Sequence, residues 1–212
     1  LATLPQNHWV SARQMVATIK VIPFSAPADA VAACEALASH VGLCVRKPVF
    51  KRVGLIQTRL GGTRESVLDK TTVVLKARIE GVSGELLLET RCEHTPAAVA
   101  DALRAQADAG VDLVLIAGAS ANVDRRDIVP AGIEAAGGEV LHFGMPVDPG
   151  NLVLLARRAA LPVIGLPGCA RSPAFNGFDH VLRRLATDMP VTSEILMNMG
   201  VGGLLKESAG RP

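Results

Sequence analysis

From Val53 onward, short apolar runs alternate with stretches of helical periodicity, and turn or capping residues punctuate each exchange. The run 53–58 is an extended buried strand broken by Gly61-Gly62. "ESVLDKTTVVLKARIEG" then places Val67, Val74, Leu75, Arg78 and Ile79 at mostly helical spacing and closes on Gly81, a common helix stop. "ELLLETRCEH" reads as a strand, Thr95 caps "PAAVADALRAQADAG" with Pro96 at its first position, and "VDLVLIAG" is a strand again. A helix starting at Asp124 or a neighbour runs to Gly137-Gly138, "EVLHFGM" is another strand, and "LVLLARRAALPVIGLPG" holds one or two more. A final helix, "SPAFNGFDHVLRRLATD", takes Ser172 as cap and Pro173 as first residue. Strands separated by helices predict an α/β fold whose mostly parallel central sheet is covered on both faces.

Composition agrees with that order. Apolar residues make up 49% of the 212 positions, but aromatics only 3% and Tyr is absent, so the core is built from Val, Leu, Ile and Ala, as buried parallel strands require. With 22 basic and 20 acidic residues well mixed, the net charge of +2 supplies no field for gripping a nucleic-acid backbone. The longest apolar runs are about half the ~20 residues of a membrane span. Cys34, Cys44, Cys92 and Cys169 form no C-x-x-C pair, which suits reduced thiols in the cytoplasm.

Three regions are expected: an arm with a small strand and helix over 1–50, the α/β domain over 51–190, and a glycine-rich linker over 191–212. Residues 15–24, "MVATIKVIPF", read as a strand in the arm, followed by a short helix in "ADAVAACEALASH". Leu1 and the tail ending Arg211-Pro212 suggest a piece cut from a longer chain.

In an open α/β sheet the ligand crevice lies beyond the carboxyl ends of the strands. The loops there are "RLGGTRES", "GASANVDRRD", "MPVDPGN" and "PGCARSP", rich in small residues, Arg, Ser, Asn and Asp. Ser120, Asn122 and Asp124 are all good helix caps, and Asp127 would complete a reciprocal cap with Asp124. Capping does not explain Gly118-Ala119-Ser120, whose small size would let backbone amides approach a phosphate at a helix start. Arg125 and Arg126 suit either a solvated ion pair or a bidentate phosphate contact. A carboxylate such as Asp127 among anion-binding groups suits a Mg²⁺ ion or a ligand N–H.

Candidate binding residues are therefore Gly118, Ala119, Ser120, Asn122, Asp124, Arg126 and Asp127 in one loop, and Pro149 and Gly150 in the next. In the last loop they are Pro167, Gly168, Cys169, Arg171 and Ser172. Cys169 beside Arg171 could be a nucleophile but lacks a neighbouring His. His94 could line the crevice, His142 is expected to pack, and His8, His40 and His180 show no metal-ligand spacing. The serine-hydrolase elbow, the P-loop and the dinucleotide fingerprint do not occur.

From about residue 53 to 188 the chain resembles the molybdopterin-binding domain family of molybdenum-cofactor biosynthesis, shared with the amino-terminal domain of CinA proteins. "AGASANVDRRDIVP" is similar to the family's strand, T-G-G-x-[GS] and D-x-T-P pattern, "FGMPVDPGN" to its P-G turn, and "LPGCARSP" to its L-P-G-N-P loop. "TRLGGTRESVLDKT" is fainter. "VATIKVIPF", "DRRDIVPAGI", "LPGCARSPAFNGFD" and "MGVGGLLKE" resemble the subgroup in which this domain precedes a MobA-like nucleotidyltransferase domain.

The resemblance implies a three-layer α/β/α sandwich that binds molybdopterin or molybdenum cofactor through its phosphate. Gly118, Ala119 and Ser120 correspond to the phosphate turn, Asp127 to its acidic residue, which the resemblance makes the candidate catalytic and Mg²⁺-binding group, and Pro167 and Gly168 to the L-P-G loop. The family's acidic pair after the second strand is replaced by Glu93-His94-Thr95, which favours binding over chemistry. The implied role is presentation of the cofactor to an attached or separate nucleotidyltransferase that transfers CMP or GMP, serving a molybdoenzyme. A catalytic adenylyl- or molybdate-transferase and a CinA-like nucleotide pyrophosphatase are the alternatives, and the resemblance also implies dimers or trimers.

Overall fold

A computed structural model describes residues 1–20, 22–39, 42–49 and 51–205. His40 and the tail beyond residue 205 lie outside the described residues. The chain divides into two compact units, Leu1–Lys47 and Pro48–Pro212.

In the first unit, β1 (Ala2–Thr3) pairs antiparallel with β2 (Ala17–Thr18), and α1 (Ala28–Ala38) follows. The strand expected over 15–24 is thus reduced to two residues. A two-stranded pair with mostly exposed side chains has too little burial to extend further. No residue of α1 is buried.

The second unit carries a six-stranded sheet in the order β4-β3-β5-β8-β7-β6. Its strands are β3 (Arg52–Arg59), β4 (Glu85–Glu93), β5 (Leu113–Ala117), β6 (Glu139–Phe143), β7 (Leu154–Arg158) and β8 (Leu161–Gly165). β4, β3, β5 and β8 run parallel, and β7 runs antiparallel to both neighbours, which leaves β6 pointing the same way as the other four. The apolar stretch 152–168 therefore holds two strands joined as a tight hairpin, with Ala159 at φ 53° in its turn.

Helices α2 (Glu65–Gly81), α3 (Pro96–Asp108), α4 (Ile128–Ala135) and α5 (Gly177–Ala186) cover the sheet. Val99 and Leu103 of α3 and Val129 and Ile133 of α4 pack on Ile56, Val114, Ile116 and Val163, all buried on one sheet face. Leu55, Leu115 and Ile164 alternate onto the other face and are equally buried. Each such side chain contributes about 1.5–3 kcal/mol by leaving water. The architecture is the α/β/α arrangement that the alternation of runs predicts.

Two helix starts differ from the sequence expectation. α4 begins at Ile128, not near Asp124, because the Asp127 carboxylate reaches back to the Val123 and Asp124 amides and holds 123–127 as a turn. α5 begins at Gly177 with Asn176 as cap, not at Ser172-Pro173. Asn176 accepts from the Phe178 amide while Asp179 accepts from the Asn176 amide, a reciprocal cap that Ser172 cannot form. Residues Gly168–Arg171 instead make a 3-10 turn. Where a linker was expected, α6 (Ser193–Met197) buries Leu196, and Leu204 bridges to Asp148.

Candidate functional site

The carboxyl ends of β3, β4, β5, β6 and β8 lie at one end of the sheet. Because β5 and β8 are neighbours, the turn after Ala117 faces the turn after Gly165. Gly118, Ala119, Ser120 and Ala121 on one side, with Pro167, Gly168, Ala170 and Arg171 on the other, line a cup of about 60 Å³. Arg171 ties the two walls together, donating from Nη2 to the Gly118 carbonyl at 2.6 Å. Its guanidinium is half-buried, and that burial pulls its pKa below the usual arginine range.

A larger hollow of about 430 Å³ lies at the ends of β3 and β4, lined by Arg59, Gly61, Gly62, Thr63, Glu93 and His94 among others. That is within the size range of small-molecule pockets, roughly 300–1,000 Å³. His94 links it to the cup: Nδ1 lies 2.8 Å from Thr58 Oγ1 and Nε2 lies 2.9 Å from Ser120 Oγ. Thr58 is fully buried and accepts the Ala119 amide at 2.7 Å, so the small-residue turn is pinned to the neighbouring strand β3. Burial pushes the His94 imidazole below its ordinary pKa, and the Asp127 carboxylate pulls against that shift.

The remaining predicted residues fall in three places. Asn122 is buried beneath the turn, between Gly118 and Gly165, and its Nδ2 finds no partner among the described residues. Asp124 accepts the Arg126 amide at 2.7 Å, and Asp124 and Arg126 are exposed outside the cup lining. Asp127 accepts from Val123 and Asp124 at 2.6 and 2.9 Å, and these amides, with His94, hold its carboxyl below the usual range.

Pro149 and Gly150 pack away from the cup lining. The Pro149 carbonyl accepts the Gly177 amide at 2.8 Å, and the Gly150 backbone lies against Gly177. The role of Gly150 is close backbone approach, since a Cβ there would sit 2.3 Å from the Gly177 nitrogen. Cys169 and Ser172 are also absent from the lining. Burial pushes the Cys169 thiol up, opposite to what a nucleophile needs. Ser172 Oγ accepts the Ala174 amide, and its carbonyl accepts from Arg78.

The donor set at Asp127 gives no support for a Mg²⁺ site among the described residues. One carboxylate oxygen is committed to two amides, and no group of three or more His, Cys, Asp or Glu is placed to hold a metal among the described residues. Two residues outside the candidate binding set shape the site. His94 had only its position after a strand to mark it. Arg78, read as part of a helical face, donates to the carbonyls of Ala170, Ser172 and Ala174 and so fastens the cup's second wall.

The site is thus a small-residue turn and a facing proline-glycine turn at neighbouring strand ends of an α/β/α domain, with an arginine between them, at the carboxyl edge of the sheet where open α/β folds place their ligand crevice. The family described as "Probable molybdopterin binding domain" matches residues 55–187, and the chain belongs to it.

Among solved structures, the molybdopterin biosynthesis MoeA protein from Pyrococcus horikosii is 24% identical, with a TM-score of 0.46, over 71% of this chain and 39% of that one. A molybdenum cofactor biosynthesis protein from Pyrococcus furiosus is 20% identical, with a TM-score of 0.39, over 78% and 50%. The molybdopterin biosynthesis Mog protein from Mycobacterium ulcerans is 16% identical, with a TM-score of 0.43, over 65% and 100%. The chain thus spans half or less of the two Pyrococcus proteins. No curated protein matches it. No helix among the described residues is long and apolar enough to cross a membrane.

Proposed function

We infer that this domain binds molybdopterin or molybdenum cofactor, with the terminal phosphate in the cup and the ring system toward the larger hollow. The observation that carries this is the meeting of the Gly118–Ser120 and Pro167–Gly168 turns at one cup, joined by Arg171. Small residues leave the backbone open to a tetrahedral anion, and a half-buried guanidinium next to it supplies charge where water screens it least.

The role is holding and presentation rather than chemistry on the phosphate. Asp127 is occupied as a turn-forming acceptor, and the strand end that resembles an acidic pair carries His94. A nucleotidyltransferase, attached or separate, would then act on the presented phosphate in the cytoplasm and serve a molybdoenzyme. Tethering such a partner raises its effective concentration at the cup.

The test is titration of the chain with molybdopterin released from a molybdoenzyme, followed by calorimetry. Saturable binding is expected, and its absence at about tens of micromolar overturns the reading. Release of pyrophosphate from ATP by the chain alone would establish the adenylyl-transferase alternative instead.

A further inference from the structure

The side chains of Thr58, His94 and Ser120 form a hydrogen-bonded row across the carboxyl ends of β3, β4 and β5. Thr58 is fully buried at one end, and Ser120 is exposed at the cup at the other. The distances are 2.7 Å from the Ala119 nitrogen to Thr58 Oγ1, 2.8 Å from there to His94 Nδ1, and 2.9 Å from His94 Nε2 to Ser120 Oγ.

Counting hydrogens decides what the open end presents. Thr58 Oγ1 accepts from Ala119 and keeps its own hydrogen and a second lone pair. If the neutral ring carries its proton on Nδ1, it donates to Thr58, and Nε2 must accept the Ser120 hydroxyl hydrogen. Ser120 then turns only lone pairs toward the cup. If the proton is on Nε2, Thr58 donates to Nδ1, the ring donates to Ser120 Oγ, and the Ser120 hydrogen is released toward the cup. A doubly protonated ring has the same effect and adds a positive charge. An anion repels lone pairs and takes hydrogens, so only the last two states suit it.

We propose that His94 is the positioning residue of the cup: by donating from Nε2 it holds Ser120 as an acceptor and presents the Ser120 hydroxyl hydrogen to a bound phosphoryl oxygen. This rests on the phosphate reading of the cup. Anion binding and protonation of Nε2 are then linked. The charged groups around the row are Glu93 beside the ring on β4, Arg59 from the end of β3, Asp127 from the start of α4, and Arg171 across the cup. A bound anion adds to the pull of Asp127, so filling the cup favours the Nε2–H states, and the doubly protonated ring over the neutral one as the pH falls.

Sulfate is the probe, because its charge is constant across the range in which histidine titrates, about pH 5 to about pH 8. Long-range proton–nitrogen spectra of the whole chain should show His94 protonated at Nε2 when sulfate is present. Wild-type affinity for sulfate should fall about fivefold or more across that range, and His94→Gln and Ser120→Ala should flatten the profile. Ser120 is exposed, so its variant keeps the test open should His94→Gln fail to fold.

If sulfate shifts the Ser120 and Gly168 amides while Nε2 stays unprotonated, or if the pH profile survives in the variants, the role of His94 is overturned and the cup stands. If sulfate shifts neither amide, the phosphate reading itself falls and takes this inference with it.

Discussion

Arg78 on α2 holds Asp179 on α5 through an Nε–Oδ1 hydrogen bond of 2.8 Å, in an ion pair whose side chains are only 9% and 12% exposed. The same guanidinium donates to three carbonyls of the segment that forms the cup's second wall. Asp179 meanwhile closes the cap of its own helix. One buried charge pair therefore fixes a helix start and a wall of the ligand site together.

Removing one partner of an enclosed pair strands the other, at a cost of about 3–5 kcal/mol. Arg78→Ala is expected to lose stability on that scale in urea unfolding and to weaken ligand binding at subdenaturing temperature. Wild-type stability in this variant would show that the pair and its carbonyl contacts carry no net weight.

Arg171 is expected to matter more for binding than for folding. Arg171→Ala should weaken molybdopterin binding about tenfold, or about 1.4 kcal/mol, because a charge-assisted donor is lost from the cup. Arg171→Lys should recover only part, since a single ammonium cannot serve Gly118 and a phosphoryl oxygen with the fork's geometry. Calorimetric titration checks both, and an unchanged affinity in Arg171→Ala rejects the assignment.

Gly150 adopts φ 125°, and the Gly177 nitrogen lies where its Cβ would go. Gly150→Ala should therefore cost more than the ~1–3 kcal/mol of backbone strain alone, since backbone rather than a yielding side chain opposes the methyl group. Differential scanning calorimetry should show a clear fall in Tm, and a neutral result would place the loop elsewhere.

The Asp127 carboxyl is held below its ordinary value, so the folded state gives up that proton more readily than the unfolded chain. Its stabilisation is fully present above about pH 4, the unfolded value, and is lost as the pH falls through the folded one. The His94 ring is also lowered, chiefly by burial, so as the pH falls below about 6.5 the unfolded chain protonates first and stability declines. Urea midpoints measured against pH should show both limbs. Asp127→Asn should reduce the acid limb, to which the lowered carboxyls of Glu89 and Asp112 also contribute, and leave the limb near neutrality, and a profile unchanged in that variant would exclude the role of the carboxylate.

The sheet, its helices and the side on which the loops gather were legible from short-range signals. Thr95 followed by Pro96 marks a helix start by its own chemistry, and the Thr95 hydroxyl accepts the Ala98 amide as that chemistry requires. The start of α5 was not legible, because Ser172 and Asn176 are both good caps in one stretch. The choice falls to Asn176 through Asp179, which is anchored by Arg78 from 101 positions away. His94 could be placed at the crevice from its position after a strand, but its partners, 36 and 26 positions distant, were equally hidden. The close packing of Gly150 on Gly177 was not legible in "MPVDPGN" for a physical reason: a glycine that admits a ligand and one that admits another backbone look alike until the neighbour is known.

The two walls of the cup come from β5 and β8, adjacent in the sheet but separated in the chain by α4, β6 and β7. Neither wall has a partner until those intervening elements have folded and the hairpin has returned β8 to β5. On the proposed reading, a ligand would find nothing to hold on a half-folded chain, and its whole binding energy would accrue to the finished domain, raising the midpoint of thermal unfolding with concentration. Cofactor supply would in this way set how much of the protein survives in the cell.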